Sequence, residues 1–346
     1  MIIDDFIQPE VLTGFVREVP QPSNLMLAQF LPDRQIGNVE AAIDQVTRTN
    51  RAAQFRSWDA EVPVGQRDSF ARSKIKLPPL GEKLPVAEQE TLMLERVRTG
   101  GDNRNGYIEA IYDDATILTG NVRRRMELAR GDVLVDGKFT LAGENHLTLE
   151  ADFGVPVGHL TTAATAWSNH TNATPLQNLK AWIDTYVDAN GERPGKIVTS
   201  NTVINNLLLI DEIRDLFNRG TTLTGGPNLL TPVQLNQVLQ AYGIPPLIEY
   251  NTKINVEGSN VRVIPEDRLI MLPENALDLG YTAWGVTAES LALATGDNPG
   301  LTFSELPGLV GVVMKSGDPV QTWTKVAAVG MPLITDPKRL FVAEVL

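Results

Sequence analysis

The chain has 346 residues, 42% of them apolar and 21% charged, with no cysteine and a formal net charge of −12. That length and apolar content suffice for two domain cores, disorder is not the default reading, and disulfides, thiolate metal sites and thiol nucleophiles are excluded. So acidic a chain repels phosphate at long range, which argues against a surface built to hold nucleic acid.

Met1 to Phe6 has no basic stretch ahead of an apolar run, and no segment approaches the length of a membrane span, so a cytoplasmic product is expected. Residues 1–47 read as an extended arm, because Pro9, Pro20, Pro22 and Pro32 recur too often for a long helix. Residues 48–98 have a basic first part. Arg48, Arg51, Arg56, Arg67, Arg72, Lys74 and Lys76 outnumber Asp59, Glu61 and Asp68 there. Alternation over Ser73–Leu77 suggests strand, and Leu77-Pro78-Pro79-Leu80-Gly81 marks a turn. The reading is a projecting two-stranded excursion whose partners lie on another subunit, since a loop this long inside a compact domain is unusual.

A strong helix follows. Ile108, Ile111, Ala115, Leu118, Val122, Met126, Ala129 and Val133 step by three or four and form one apolar stripe. Asp102 or Asn103 is placed to cap its start and Gly131 to end it, with Arg123, Arg124 and Arg125 in the C-terminal half that favours cations. Asp136-Gly137 then reads as a turn, and Leu147, Leu149, Ala151 and Phe153 alternate as a half-buried strand. Thr174-Pro175 and Thr231-Pro232 each open a helix, and Ser200 caps another that runs through Leu207 and Phe217 to Gly220. Strands are expected over 196–199, 247–250, 260–264, 269–272, 309–315, 322–328 and 340–345. Helices and strands mix without regular alternation, which makes the fold class α+β.

No catalytic, cofactor or metal site is legible. His146, His159 and His170 lack partners at metal-ligand spacing. Glu109 and Asp113 sit one turn apart and read as a solvated helix face rather than an acid–base pair. Thr224-Gly225-Gly226-Pro227 lacks the lysine and hydroxyl residue of a phosphate loop.

The order of these parts, and two sets of residues, resemble the lambda-type major capsid proteins of tailed phages, the major capsid protein E family. The first set is Val135-Asp136-Gly137-Lys138-Phe139-Thr140-Leu141-Ala142-Gly143-Glu144. The second is Gly317-Asp318-Pro319, Met331-Pro332-Leu333 and Asp336-Pro337 ahead of the closing strand. The resemblance implies an HK97-like fold, with an N-terminal arm over 1–47 and an E-loop over 48–98. A P-domain with a spine helix would span 99–192 plus 300–332, and an A-domain 193–299 plus 333–346. It implies a non-enzymatic shell subunit of the virion, assembling with itself as hexamers and pentamers around double-stranded DNA. A portal protein and a separate scaffolding protein would be partners, the latter because the arm begins near Met1. A decoration protein stays open. Under this reading Arg48, Arg51, Arg56, Arg67, Arg72 and Lys74 meet carboxylates of neighbouring subunits. The alternatives are an encapsulin-like compartment and, from another class, an α+β enzyme or binding protein with a convergent polar pocket.

Overall fold

The computed structural model describes residues 8–47, 55, 58, 69–86, 104–144, 146–220, 230–295, 306–317 and 320–346. The chain opens with helix α1 (Pro9–Glu18), then strands β1 (Asp33–Gln35), β2 (Glu40–Thr47), β3 (Ser69–Lys76) and β4 (Pro79–Val86). The long helix α2 (Arg104–Asp136) leads into β5 (Lys138–Glu144), β6 (Leu147–Asp152) and β7 (Leu160–Thr162). Next come α3 (Pro175–Asn190), β8 (Lys196–Thr199), α4 (Asn201–Leu209), α5 (Asp211–Gly220) and α6 (Pro232–Ala241). The remainder is β9 (Leu247–Glu249), β10 (Lys253–Val256), β11 (Ser259–Arg262), β12 (Arg268–Leu272), β13 (Gly280–Trp284), α7 (Ala288–Thr295), β14 (Val310–Gly317), β15 (Val320–Ile334) and β16 (Phe341–Glu344).

Two sheets organise the body. In the first, the 15-residue β15 pairs antiparallel with β14 and β4 through residues 320–329 and with β13 through Gly330–Ile334, and β1 adds to β13 in parallel. The second runs β7-β16-β12-β8-β9. Its central strands β16, β12 and β8 alternate between two cores. Leu269 and Met271 of β12 face the helices α3 to α6, while Ile270 and Leu272 join the core beneath α2. Phe341 and Ala343 against Val342, and Ile197 against Val198, divide in the same way. A strand has a side-chain period of two, so a sheet covered on both faces must be apolar at every position, as these are.

Helix α2 carries the stripe read from the sequence. Ile111, Ala115, Leu118, Val122, Met126 and Val133 are all buried, and the helix packs on β15. At 33 residues it is about 50 Å long. The expected caps Asp102 and Asn103 lie outside the described residues, but the other end differs from expectation for a clear reason. Gly131 is interior to the helix, where a Cβ would come within 2.4 Å of the Val263 carbonyl oxygen. It is a close-approach glycine. The helix stops instead at Gly137, whose φ of +73° is left-handed and whose N–H donates to Val133 O. Arg123, Arg124 and Arg125 therefore lie at least three turns from the C-terminus, too far for the helix dipole to matter.

Three further departures concern length and pairing. The arm contains α1, since a ten-residue helix fits between Pro9 at its first position and Pro20, burying Leu12 and Val16 one turn apart. Strand β2, inside the stretch read as arm, pairs with β3 from Glu40↔Lys76 to Thr47↔Ser69, so the two-stranded excursion starts at Glu40. The helix read from Ser200 to Gly220 breaks at Ile210, which is extended and buried, and Asp211 N–H donates to His170 O as α5 begins. The two helices with proline at their first position start and bury as expected, although the Thr174 side chain makes no cap hydrogen bond. α3 buries Leu176, Leu179, Ile183 and Tyr186, and α6 opens with a capping box between Thr231 and Gln234. α3 and β7, on the 99–192 side of the expected division, pack into the second core and second sheet.

Gly131→Ala separates the two readings of that glycine. An exposed helix interior would gain about 1 kcal/mol from alanine. Here the clash with Val263 should dominate and destabilise the protein by about 1–3 kcal/mol, measured as a fall in the urea midpoint.

Candidate functional site

The residues that join the segment after α1 to α2 and β13 form a buried polar cluster in the first core. Glu127 of α2 is fully buried. Its Oε1 accepts from Leu27 N–H at 2.8 Å and from the Tyr250 hydroxyl at 2.9 Å. Its Oε2 lies 3.2 Å from Nη1 of Arg130, one turn on and also buried. Arg130 Nε donates to Thr282 Oγ1 at 2.9 Å, and Nη2 to Asp33 at 2.5 Å. Thr282 in turn donates its hydroxyl to Leu31 O at 2.8 Å and its N–H to Pro32 O at 2.9 Å. Burial first, and the Glu127 carboxylate second, push the Tyr250 hydroxyl well above its ordinary pKa, so it stays a donor. The sequence reading missed this cluster, although a signal existed. Met126, Arg130 and Val133 share the spacing of the apolar stripe, which puts an arginine on the buried face.

The stretches that carried the family resemblance have structural roles. Asp136 ends α2 and accepts from Lys138 N–H at 2.8 Å, while Phe139 and Leu141 of β5 are buried. Met331-Pro332-Leu333 lies in β15 against β13. Because Thr282 gives its N–H to Pro32, the Thr282–Pro332 pair needs no donor from the proline. Asp336 caps the turn Pro337–Arg339. Asp318 and Pro319 lie outside the described residues.

The basic excursion is only partly described. Arg48, Arg51, Arg56 and Arg67 lie outside the described residues. Arg72 stands opposite Asp44 in the β2–β3 register, and Lys74 is exposed opposite Ala42. Phe55 and Trp58, between the two strands, are exposed at 106% and 95%. The root of the excursion is firm, with Leu77 buried and its N–H donated to Val39 O, and Pro78 O accepting from Gly330 N–H beside β15.

Groups with catalytic potential are placed as structural or solvated residues. Glu109 and Asp113 are exposed on α2. His170 bonds Asn206 Oδ1 at 2.8 Å, and His146 sits at the β5–β6 turn with a φ of +66°. His159 is buried, donates Nδ1–H to Leu340 O at 3.0 Å and packs against Phe341 and Tyr186. Among the described residues no group of three or more His, Cys, Asp and Glu could hold a metal ion, and no helix is long and apolar enough to cross a membrane. The Thr224–Pro227 loop lies outside the described residues.

A long helix packed on a sheet, a two-stranded excursion and two cores sharing one sheet make up an HK97-like capsid fold. The family described as Phage major capsid protein E matches residues 9–345, and the chain belongs to it. A prophage protein from E. coli CFT073, described as a capsid protein, superposes with a TM-score of 0.65 at 14% identity, covering 98% of this chain and 99% of that one. A phage-related protein from Bordetella bronchiseptica RB50 gives a TM-score of 0.54 at 10% identity, over 99% and 97% of the two chains. No curated protein matches the sequence. The chain is thus a structural shell protein of a phage virion, and the family places it with phage heads rather than with cargo compartments.

Glu127→Ala should destabilise the protein by about 3–5 kcal/mol, because it strands Arg130, Leu27 N–H and the Tyr250 hydroxyl without their shared acceptor. Tyr250→Phe removes one bond to a charged group and should lose about 1–3 kcal/mol in the same denaturation series.

Burial holds His159 below its ordinary pKa of 6.5, with the bond to Leu340 O opposing. A folded pKa below the unfolded one means the unfolded chain binds the proton first. Stability is therefore full above pH 6.5 and is lost as pH falls through the lowered folded value. Thermal unfolding from pH 7 to pH 5 should show this loss, and His159→Phe should flatten it.

Proposed function

We propose that this chain is the major head protein of a tailed phage, building hexamers and pentamers of an icosahedral shell around double-stranded DNA without catalysing a reaction. The observation that carries the reading is a capsid family match running from residue 9 to residue 345, over a fold whose long helix and excursion the match spans. Assembly takes place in the host cytoplasm, with a portal protein and a separate scaffolding protein as partners. A shell wall of net charge −12 suits this, because it encloses DNA while repelling phosphate. The arm, E-loop, P-domain and A-domain division belongs to the same proposal. The two cores support its broad outline, with α3 and β7 moving to the A-domain side.

The excursion is proposed to reach a neighbouring subunit. Its exposed aromatics, Phe55 and Trp58, offer the kind of anchor that protein interfaces use, and its basic residues face a chain whose carboxylates outnumber its cations, 42 to 30. Many weak contacts of this kind sum to a firm lattice that can still correct errors.

Negative-stain microscopy of the purified protein, alone and with a scaffolding partner, tests the main reading. Closed shells are expected, and a stable monomer under all conditions contradicts it. Reversing Arg48, Arg51 and Arg56 together to Glu should leave circular dichroism unchanged and abolish shell formation. A single reversal should be nearly silent, since one exposed pair contributes only about 0–1 kcal/mol. Normal assembly of the triple variant at low and high salt contradicts the electrostatic role.

A further inference from the structure

We propose that the outer edge of β4, with a groove on each of its faces, is the seat that receives the Phe55–Trp58 segment of a second copy. The inference rests on the reading that the excursion reaches a neighbouring subunit, and it names where on that neighbour the tip lands. Among the described residues the strand partner of β4 is β15, on one edge. Gly330 N–H donates to Pro78 O, and antiparallel pairing alternates from there. Leu80, Glu82 and Leu84 turn their backbone groups to β15, while Pro79, Gly81, Lys83 and Pro85 turn theirs outward. Pro79 and Pro85 have no N–H to offer. The N–H groups of Gly81 and Lys83, both exposed residues, have no acceptor among the described residues. The edge is therefore open over one short stretch and closed by proline at either end. It admits a few residues of another chain and not a long sheet.

Both faces of that stretch are hollow. On the α2 side a groove of about 660 Å³ is lined by Leu80, Val122, Met126, Leu141 and the part-exposed Leu147. On the other side, beside α7, a groove of about 540 Å³ is lined by Gly81, Met314, Ala327 and Val329. Both volumes lie in the roughly 300–1,000 Å³ range of pockets that hold a compact apolar group. Side chains alternate along a strand, so a segment added to this edge sends successive residues into opposite grooves. Phe55 and Trp58 are three positions apart, which puts them on opposite faces of such a segment, and neither is covered by its own chain. The larger ring suits the larger groove. Arg56 then shares the Trp58 face, which is the face of Glu82, a carboxylate bonded to the neutral Asn121. Residues 48–58 carry Arg48, Arg51 and Arg56 and no acidic residue, so the segment complements that carboxylate. Backbone bonds at Gly81 and Lys83 supply affinity, and one aromatic ring per groove supplies selectivity.

The test titrates the purified full chain into a fluorescent, end-blocked peptide of residues 48–58, read by anisotropy. Saturable binding is expected. Trp58→Ala in the peptide should weaken it about tenfold or more, because a buried aromatic anchor dominates such contacts. Lys83→Pro in the chain removes one outward N–H and should weaken it about threefold or more. Lys83→Gln removes the charge alone and should bind like the wild type or more tightly. Should Lys83→Pro fail to fold by circular dichroism, Leu147→Arg on the wall of the larger groove takes its place, with the same expectation. Shell formation by the same preparations is scored by microscopy. Binding that depends on Trp58 and on the chain variants supports the seat even where no shell forms, which separates its fate from that of the shell reading. Absence of peptide binding overturns the seat, whether or not shells form. So does binding that ignores either Trp58→Ala or the chain variants, which is what the arginines alone would give.

Discussion

One buried carboxylate organises the first core. Glu127 has no contact with solvent, and its two oxygens serve the backbone of the N-terminal segment at Leu27, the hydroxyl of Tyr250 and the guanidinium of Arg130. Through Arg130 the same group reaches Asp33 on β1 and Thr282 on β13. An ionised carboxylate inside a protein is tolerable only when its lone pairs are filled, so the elements carrying those partners must arrive together. Apolar contacts alone would let the segment after α1 slide along α2, because burial is non-directional. Fixed donors at Leu27 and Asp33's acceptor allow one register. The cluster therefore converts a greasy seam into a defined joint, and β1 and the root of the excursion take their positions from that joint.

What was legible in the sequence was what depends on local period and local chemistry. The α2 stripe, the buried face of α3 and the starts of α3, α4 and α6 follow from spacing, from Pro at the first position of α3 and α6, and from the Ser200 and Thr231 caps of α4 and α6. What was not legible depends on distant residues. Gly131 looks like a helix stop until Val263 is seen against it. Ile210 looks helical until burial in the second core and the His170 carbonyl are known. The proline count hid α1, whose anchors, the carbonyls of Gly311 and Leu309, lie some 300 residues along the chain. The polar joint was the hardest to see. A glutamate and an arginine at i,i+3 on a helix are common on surfaces, and only the seat of Arg130 within the stripe pointed inward.

The family resemblance rested on short stretches at the end of α2 and near the C-terminus, and the structure gives these a physical meaning. Gly137 must be left-handed, Asp136 must close the helix, Pro332 sits where a strand needs no donor, and Asp336 caps a turn. These are backbone requirements rather than surface ones. Such constraints fit a chain that superposes over nearly its whole length on a prophage protein with 14% identity.

The sheet shared by two cores has a consequence for how the subunit fails. Alternate residues of β12 and β16 belong to opposite faces, so neither layer owns the strands it packs on. Stripping the helices from one face exposes every second side chain of strands that the other face still needs. Partial melting of one layer is therefore penalised twice, and the two layers should come apart as one cooperative unit. A subunit of this kind is either intact or lost, with little population in between. In a closed wall of many copies, that all-or-none character keeps a strained position from softening gradually and passing its slack to the next.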